Sequence, residues 1–156
     1  MIEVEIPGWR KLALSYLVLD VNGTLAVDGE MLPGVTERIA ALAGSLEVSI
    51  VTADTHGKSA GIAQALGVRF TRIQPPDEAG QKQAYVAQLG ADRTVAIGNG
   101  ANDALMLRAA AVGIAVLGGE ALASVAREAA DVVTANIDDA LDLLLKPKRL
   151  IATLRR

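Results

Sequence analysis

Three short polar clusters follow directly on apolar runs: Asp20-Val21-Asn22-Gly23-Thr24 after Tyr16–Leu19, Thr52-Ala53-Asp54 after Glu47–Val51, and Gly98-Asn99-Gly100-Ala101-Asn102-Asp103 after Thr94–Ile97. In an open parallel sheet, ligands bind outside the carboxyl ends of the strands, so the three clusters would meet in one crevice. They would bring to it one carboxylate, one hydroxyl and a further carboxylate-amide group. A carboxylate at a strand end can attack phosphorus in line, and oxygen donors beside it can hold a hard divalent cation. Plainer roles exist for each residue. Asp20 also fits a strand-to-loop turn, Thr52 a β-branched strand end, Asp103 the first turn of a helix and Asn102 its cap. Gly98-Asn99-Gly100 is a poor dinucleotide loop, because the third glycine is missing and Asp103 would repel a pyrophosphate unless a metal intervened.

The elements that must position these clusters follow from the rest of the chain. Its 156 residues suit one domain, 1–156, with one sizeable core. Hydrophobic residues make up 51% and aromatic residues only 3%, and 28 residues are alanine, so the apolar surface is small and aliphatic and allows close helix-on-sheet packing. Strands are expected at Tyr16–Leu19, Glu47–Val51, Val68–Ile73, Thr94–Ile97, Val112–Val116 and Asp131–Val133. Helices are expected near Val35–Ala43, Lys58–Leu66, Gln81–Leu89, Asn102–Ala110, Glu120–Arg127 and Asp138–Leu145, with a short terminal helix over Lys148–Arg156. This alternation predicts an α/β fold, a doubly wound, mainly parallel sheet with helices on both faces. Asp28-Gly29, flanked by Leu25-Ala26-Val27 and Met31-Leu32, predicts a small hairpin flap after the first core strand. Ile2–Ile6 reads as a half-exposed strand ended by Pro7-Gly8, pairing antiparallel with the sheet edge or with the first core strand.

With these clusters in order, the sequence resembles the haloacid dehalogenase (HAD) superfamily of phosphohydrolases and phosphotransferases from about Tyr16 to the end. The first motif of that family is a strand-end aspartate followed two positions later by another acid, then Gly-Thr; here it reads Asp20-Val21-Asn22-Gly23-Thr24. The resemblance continues through Thr52, through Lys82 as the best-placed third-motif lysine, with Lys58 competing, and through Gly98-Asn99-Gly100-Ala101-Asn102-Asp103. The last motif and Thr52-Ala53-Asp54 look most like the phosphorylation domain of P-type ATPases, and the whole chain resembles small soluble, capless proteins of that kind.

The resemblance implies a Mg²⁺-dependent phosphatase or phosphotransferase with Asp20 as nucleophile and an aspartyl-phosphate intermediate. Asp20, the backbone carbonyl of Asn22 and Asp103 would ligate the metal, with Asn99 ligating or holding a water. Thr52 would hydrogen-bond a phosphoryl oxygen, Lys82 would neutralise developing charge, and backbone N–H groups around Asn22 and Gly23 would cradle the remaining oxygens. Two departures matter. Asn22 stands where HAD phosphatases carry the acid that protonates the leaving group, which implies slow turnover, a long-lived phosphoenzyme, or leaving groups that need no proton. Asn99 stands where the family usually has aspartate, which implies weaker metal binding.

Composition and spacing exclude other classes. A formal charge of −3 offers no positive field for nucleic acid, and the absence of cysteine removes disulfides and thiol catalysis and makes the cytoplasm the natural location. Met1–Lys11 is no signal peptide, and no apolar run is long enough to span a membrane. Asp20 to Thr52 and Thr52 to Lys82 leave no room for a cap or an inserted nucleotide domain, so the open site would accept a phosphorylated, even bulky, partner or be closed by another subunit of a homo-oligomer. Asp54 and Thr55 are expected to cap the helix from Lys58, His56 to lie exposed near the site, and Lys146, Lys148, Arg149, Arg155 and Arg156 to form a solvated basic face. A signalling receiver domain would also use Asp, Thr and Lys, but Lys146-Pro147 follows a helical run and the first strand ends in a single acid. The remaining alternative is a non-catalytic binding or regulatory module on a decayed HAD fold.

Overall fold

In the computed structural model, which describes residues 1–54 and 57–156, the chain opens with a hairpin and then builds a six-stranded sheet. The hairpin joins β1 (Ile2–Ile6) to β2 (Arg10–Leu14), antiparallel, with Ile6 opposite Arg10 across the Pro7-Gly8 turn. This corrects the expectation for Ile2–Ile6, which pairs with neither the sheet edge nor the first core strand. Arg10-Lys11-Leu12-Ala13-Leu14 alternates exposed and buried residues like its partner and forms a strand of its own, separated from β3 (Tyr16–Leu19) by Ser15 alone.

The sheet contains β3, β6 (Glu47–Thr52), β7 (Arg69–Arg72), β8 (Thr94–Gly98), β9 (Val112–Val116) and β10 (Val132–Thr134) in the order β10-β9-β8-β3-β6-β7, all parallel. Leu17, Val18 and Leu19 of β3 are fully buried, as a central parallel strand covered on both faces requires. The chain runs from β3 outward to β7 and then returns to β8 on the other side of β3, so the order reverses between β3 and β8 and a crevice opens at their carboxyl ends.

Two apolar layers hold the sheet. On one face α1 (Val35–Ala43), α2 (Ser59–Leu66), α6 (Ile137–Leu145) and α7 (Pro147–Leu154) pack with the terminal hairpin against residues such as Leu19, Ile50, Ile97 and Ile114. On the other, α3 (Glu78–Leu89), α4 (Ala104–Ala109) and α5 (Ser124–Ala129) cover Val18, Val51, Ala96 and Ala115. The small side chains on this second face let α4 come so close to β9 that a Cβ at Gly113 would lie 2.2 Å from the Leu107 carbonyl oxygen. The flap predicted after β3 is present as β4 (Ala26–Val27) and β5 (Glu30–Met31), with Asp28 and Gly29 both at positive φ in the turn.

Element boundaries shift where local hydrogen bonding decides them. Helix α3 begins at Glu78, ahead of the expected Gln81, because the Asp77 carboxylate accepts the Gly80 N–H at 3.0 Å and caps it. The helix expected from Asn102 starts as a 3₁₀ turn over Ala101–Asp103 before α4. Glu120–Arg127 is corrected most: Glu120 to Ala123 are loop, with Ala121 at φ 67 and its N–H donating to Gly118 O, and the helix is Ser124–Ala129. Between Asp20 and Thr52 lie the flap and α1; between Thr52 and Lys82 the described elements are α2, β7 and the start of α3.

Candidate active site

Each sequence cluster is delivered by the end of a strand. Asp20 directly follows β3, and its N–H donates to Ile97 O of the adjacent β8 at 3.0 Å, which fixes the backbone at the crevice. Thr52 is the last residue of β6, and Asn99 follows β8. Asp20, Asn22, Thr52 and Asn99 line one cleft of about 230 Å³ together with Asn102 and Glu120. Asn102 is oriented by its side-chain amide donating to Glu78 at the start of α3 at 2.7 Å.

Beneath the cleft lies an ion cluster. The Lys82 ammonium, fully buried on α3, donates to Asp20 Oδ1 at 2.6 Å and to Asp103 Oδ1 at 2.5 Å. The other oxygen of Asp103 accepts the N–H groups of Asn99 at 3.0 Å and Gly100 at 2.8 Å, so this carboxylate ties the loop after β8 into a compact turn. The bare α-carbon of Gly98 makes room for it, since a Cβ there would lie 2.5 Å from Asp103 Cγ. Two carboxylates share one ammonium, and the electrostatics follow. Burial, then the charge of Asp103, push the Asp20 carboxyl up to about 7 against the opposing pull of Lys82. Burial works against the charge of Lys82, but the two carboxylates outweigh it and raise its pKa above the ordinary lysine value.

Asn99 joins three loops. Its Oδ1 accepts the Thr24 hydroxyl at 3.1 Å, its Nδ2 donates to Ala121 O at 3.1 Å, and its backbone carbonyl accepts the Ala123 N–H at 2.9 Å. Gly23, at φ 78, lets the loop after β3 sit against it; a Cβ there would lie 2.3 Å from Asn99 Nδ2.

The residues expected from sequence therefore divide into two groups. Asp20, Asn22, Thr52 and Asn99 face the cleft, Gly23 lies against Asn99, and Lys82 and Asp103 form the buried layer under the cleft floor. Lys58, the competing lysine, is exposed and pairs with Glu30 on the flap. Asp54 accepts the Ser59 N–H at 2.9 Å and caps α2; Thr55 and His56 fall outside the described residues. Lys146, just past the end of α6, pairs with Asp142 of that helix at 2.6 Å and does not line the cleft. Glu120 was missed, because its Ala- and Glu-containing segment reads as helix; Gly118-Gly119 just before it was the available loop signal.

The donor set suits an oxygen-ligated cation that keeps part of its water shell: the Asp20 carboxylate, the amide oxygen of Asn99 and backbone oxygen at Asn22 are hard donors on an open polar cleft. Among the described residues no three His, Asp or Glu side chains gather in a group that could hold a metal ion.

Residues 1–111 match the family model described as haloacid dehalogenase-like hydrolase. The chain is 38% identical over 114 residues to a probable cation-transporting ATPase G of Mycobacterium tuberculosis, a match covering 70% of this chain but only 14% of the ATPase. It is 49% identical over 63 residues to an uncharacterized protein of Methanocaldococcus jannaschii, covering 40% of this chain and 68% of that protein. Among solved structures, the 3-deoxy-D-manno-octulosonate 8-phosphate phosphatase of Moraxella catarrhalis, in complex with magnesium, phosphate and the sugar acid, superposes with a TM-score of 0.72 at 21% identity, covering 92% of this chain and 94% of that one. A phosphoserine phosphatase superposes with a TM-score of 0.64 at 16% identity over 85% of this chain and 98% of that one. At these identities the structural likenesses establish the fold.

Proposed function

The chain belongs to the haloacid dehalogenase-like hydrolases, and from that membership we propose that it is a Mg²⁺-dependent phosphohydrolase or phosphotransferase working as one domain through an aspartyl-phosphate on Asp20. The observation that carries this reading is the buried Lys82 ammonium between the carboxylates of Asp20 and Asp103 beneath an open polar cleft. Burying an ammonium and two carboxylates together costs stability that an apolar core would not, and such clusters concentrate where charge must be managed during a reaction.

In the first step an Asp20 oxygen forms a bond to phosphorus and the bond from phosphorus to the leaving group breaks. The leaving group takes the electron pair and draws its proton from solvent, because the Asn22 amide cannot donate one as an acid. In the second step water attacks phosphorus, the bond to Asp20 breaks, phosphate departs, and one proton passes to solvent. An alcohol in place of water would make the reaction a transfer. Thr52 and the backbone N–H of Asn22 hold phosphoryl oxygens, the Gly23 N–H being donated instead to Ala26 O at 2.8 Å, and Lys82 offsets the charge that Asp20 and Asp103 bring to the floor. Mg²⁺ held by Asp20, the Asn22 carbonyl and Asn99 would supply the positive charge that lets two anions approach, while Asp103, expected as a ligand, has both oxygens bonded to Lys82 and to the Asn99 and Gly100 N–H groups beneath the cleft. Asn99 in place of an acid makes that affinity low.

The cleft carries no cap within the described residues, so a bulky phosphorylated partner can reach Asp20, or a second copy of the chain can cover it. No helix among the described residues is long and apolar enough to cross a membrane, and we assign the activity to the cytoplasm. The test is hydrolysis of acetyl phosphate and simple alkyl phosphates with Mg²⁺ by the wild type, Asp20→Asn and Asn22→Asp. The wild type should release phosphate fastest from acetyl phosphate, and Asp20→Asn should release none. Asn22→Asp should raise turnover of alkyl phosphates by at least about tenfold, part of the ~10²–10⁴-fold that an acid typically supplies. Activity in none of the three, with the fold intact, would favour a non-catalytic binding module.

A further inference from the structure

We propose that Glu120 makes this cleft select phosphorylated alcohols whose leaving group carries a positive charge, such as an ammonium, over those that carry a second anion; the inference rests on the phosphoryl-transfer reading of the same site. Glu120 is exposed at the cleft wall, on the loop between β9 and α5. One of its oxygens, Oε1, accepts the Asp28 N–H of the flap at 2.9 Å, and its Oε2 has no protein partner among the described residues. The loop that bears it is not free to swing. Ala121 O and the Ala123 N–H are both bonded to Asn99, a Cβ on Gly118 would lie 2.8 Å from Gly23 O, and Ala121 is held at φ 67, a conformation alanine adopts only under constraint. Glu120 is thus fixed on the same scaffold as Asn99 and the loop after Asp20.

The charge around it has one sign. Among the described lining residues there is no lysine or arginine; Asp20 and Glu120 are acids and the rest are neutral. The nearby Lys82 is fully buried and already shared between two carboxylates. Lys58 pairs with Glu30 of the flap. Once a divalent cation offsets the phosphoryl group, no described residue of the wall receives a second anionic group, whereas Glu120 offers a carboxylate oxygen to an ammonium. Specificity of this kind arises as much from what the wall repels as from what it attracts.

The experiment uses three esters of matched size with Mg²⁺: phosphoethanolamine, 2-hydroxyethyl phosphate and phosphoglycolate, whose leaving groups are cationic, neutral and anionic. For the wild type, kcat/KM should fall in that order, with about a tenfold span for a partly solvated charge contact. Glu120→Gln should raise KM for phosphoethanolamine about threefold to fivefold, more than it raises KM for the neutral ester, and Glu120→Lys should invert the order. Equal kcat/KM for the three esters, or an order that Glu120→Gln leaves intact, overturns the inference while the proposed function stands. If the wild type hydrolyses none of them and acetyl phosphate fails as well, the proposed function falls. The charge preference is then still read by thermal protection of the Mg²⁺-loaded protein, where 2-aminoethylphosphonate should protect wild type more than phosphonoacetate does; equal protection overturns it.

Discussion

At the residue scale the molecule turns on an imbalance: two buried carboxylates face one buried ammonium. The excess negative charge falls on Asp20, whose carboxyl rises from an ordinary 3.8 to about 7, chiefly by burial and then by Asp103. A carboxyl with a raised folded-state pKa stabilises the fold fully below its unfolded value, and that contribution is lost as pH rises through the folded value. The metal-free protein should therefore lose stability between about pH 4 and about pH 7 through this group. Asp20→Asn removes the titration and leaves Lys82 paired with Asp103 alone. In chelator, thermal melts should show Asp20→Asn more stable than wild type at pH 8, with the two curves converging near pH 4. A difference that is absent at pH 8, or that grows toward acid, would contradict this electrostatic picture. Added Mg²⁺ should narrow the gap at pH 8 by stabilising the ionised carboxylate, since a ligand that binds only the folded state raises its apparent stability.

At the element scale the site is a product of strand ends and of the loops seated on Asn99. Gly23 is sensitive to side-chain volume, because it combines a left-handed backbone with a 2.3 Å approach of a virtual Cβ to Asn99. Gly67, at φ 66 with nothing within 4 Å, supplies the control, since alanine there meets only the backbone strain of about 1 kcal/mol. Gly23→Ala should lower the denaturant midpoint more than Gly67→Ala, by roughly 1–3 kcal/mol in added stability loss. It should also slow phosphoryl release, while Gly67→Ala leaves release intact. Equal effects of the two substitutions would mean that the loop after β3 yields without cost.

Sequence made the centre of the sheet readable because β3, β6 and β8 are largely apolar runs closed by a polar cluster, and Asp20, Thr52 and Asn99 sit at those closures. It made the hairpin flap readable through Asp28-Gly29. Local pattern could not reveal that Lys82 is buried, since an Ala- and Gln-rich helix presents lysines to solvent by default; its partners lie 62 and 21 residues away in the chain. Strand β2 was hidden because only Ser15 separates it from β3. Glu120 was hidden because helix-favouring composition was overridden by a Gly118–Ala121 turn anchored on Asn99.

At the scale of the whole molecule, the parallel sheet reverses its order at β3 and β8, and the cleft opens at that point with no covering insertion among the described residues. The chain spans 14% of the cation-transporting ATPase that it matches across 70% of its own length. On the proposed reading the chain forms and hydrolyses an acyl phosphate on Asp20, with Asn22 slowing the second step. The most direct measurement is intact-protein and peptide mass spectrometry after brief exposure to acetyl phosphate and Mg²⁺, quenched in acid. One phosphoryl group on Asp20 of the wild type, longer-lived than in Asn22→Asp and absent from Asp20→Asn, is the expected result. A wild type that remains unmodified under these conditions, or a phosphoryl group that persists in Asp20→Asn, would contradict the assignment of Asp20 as the nucleophile.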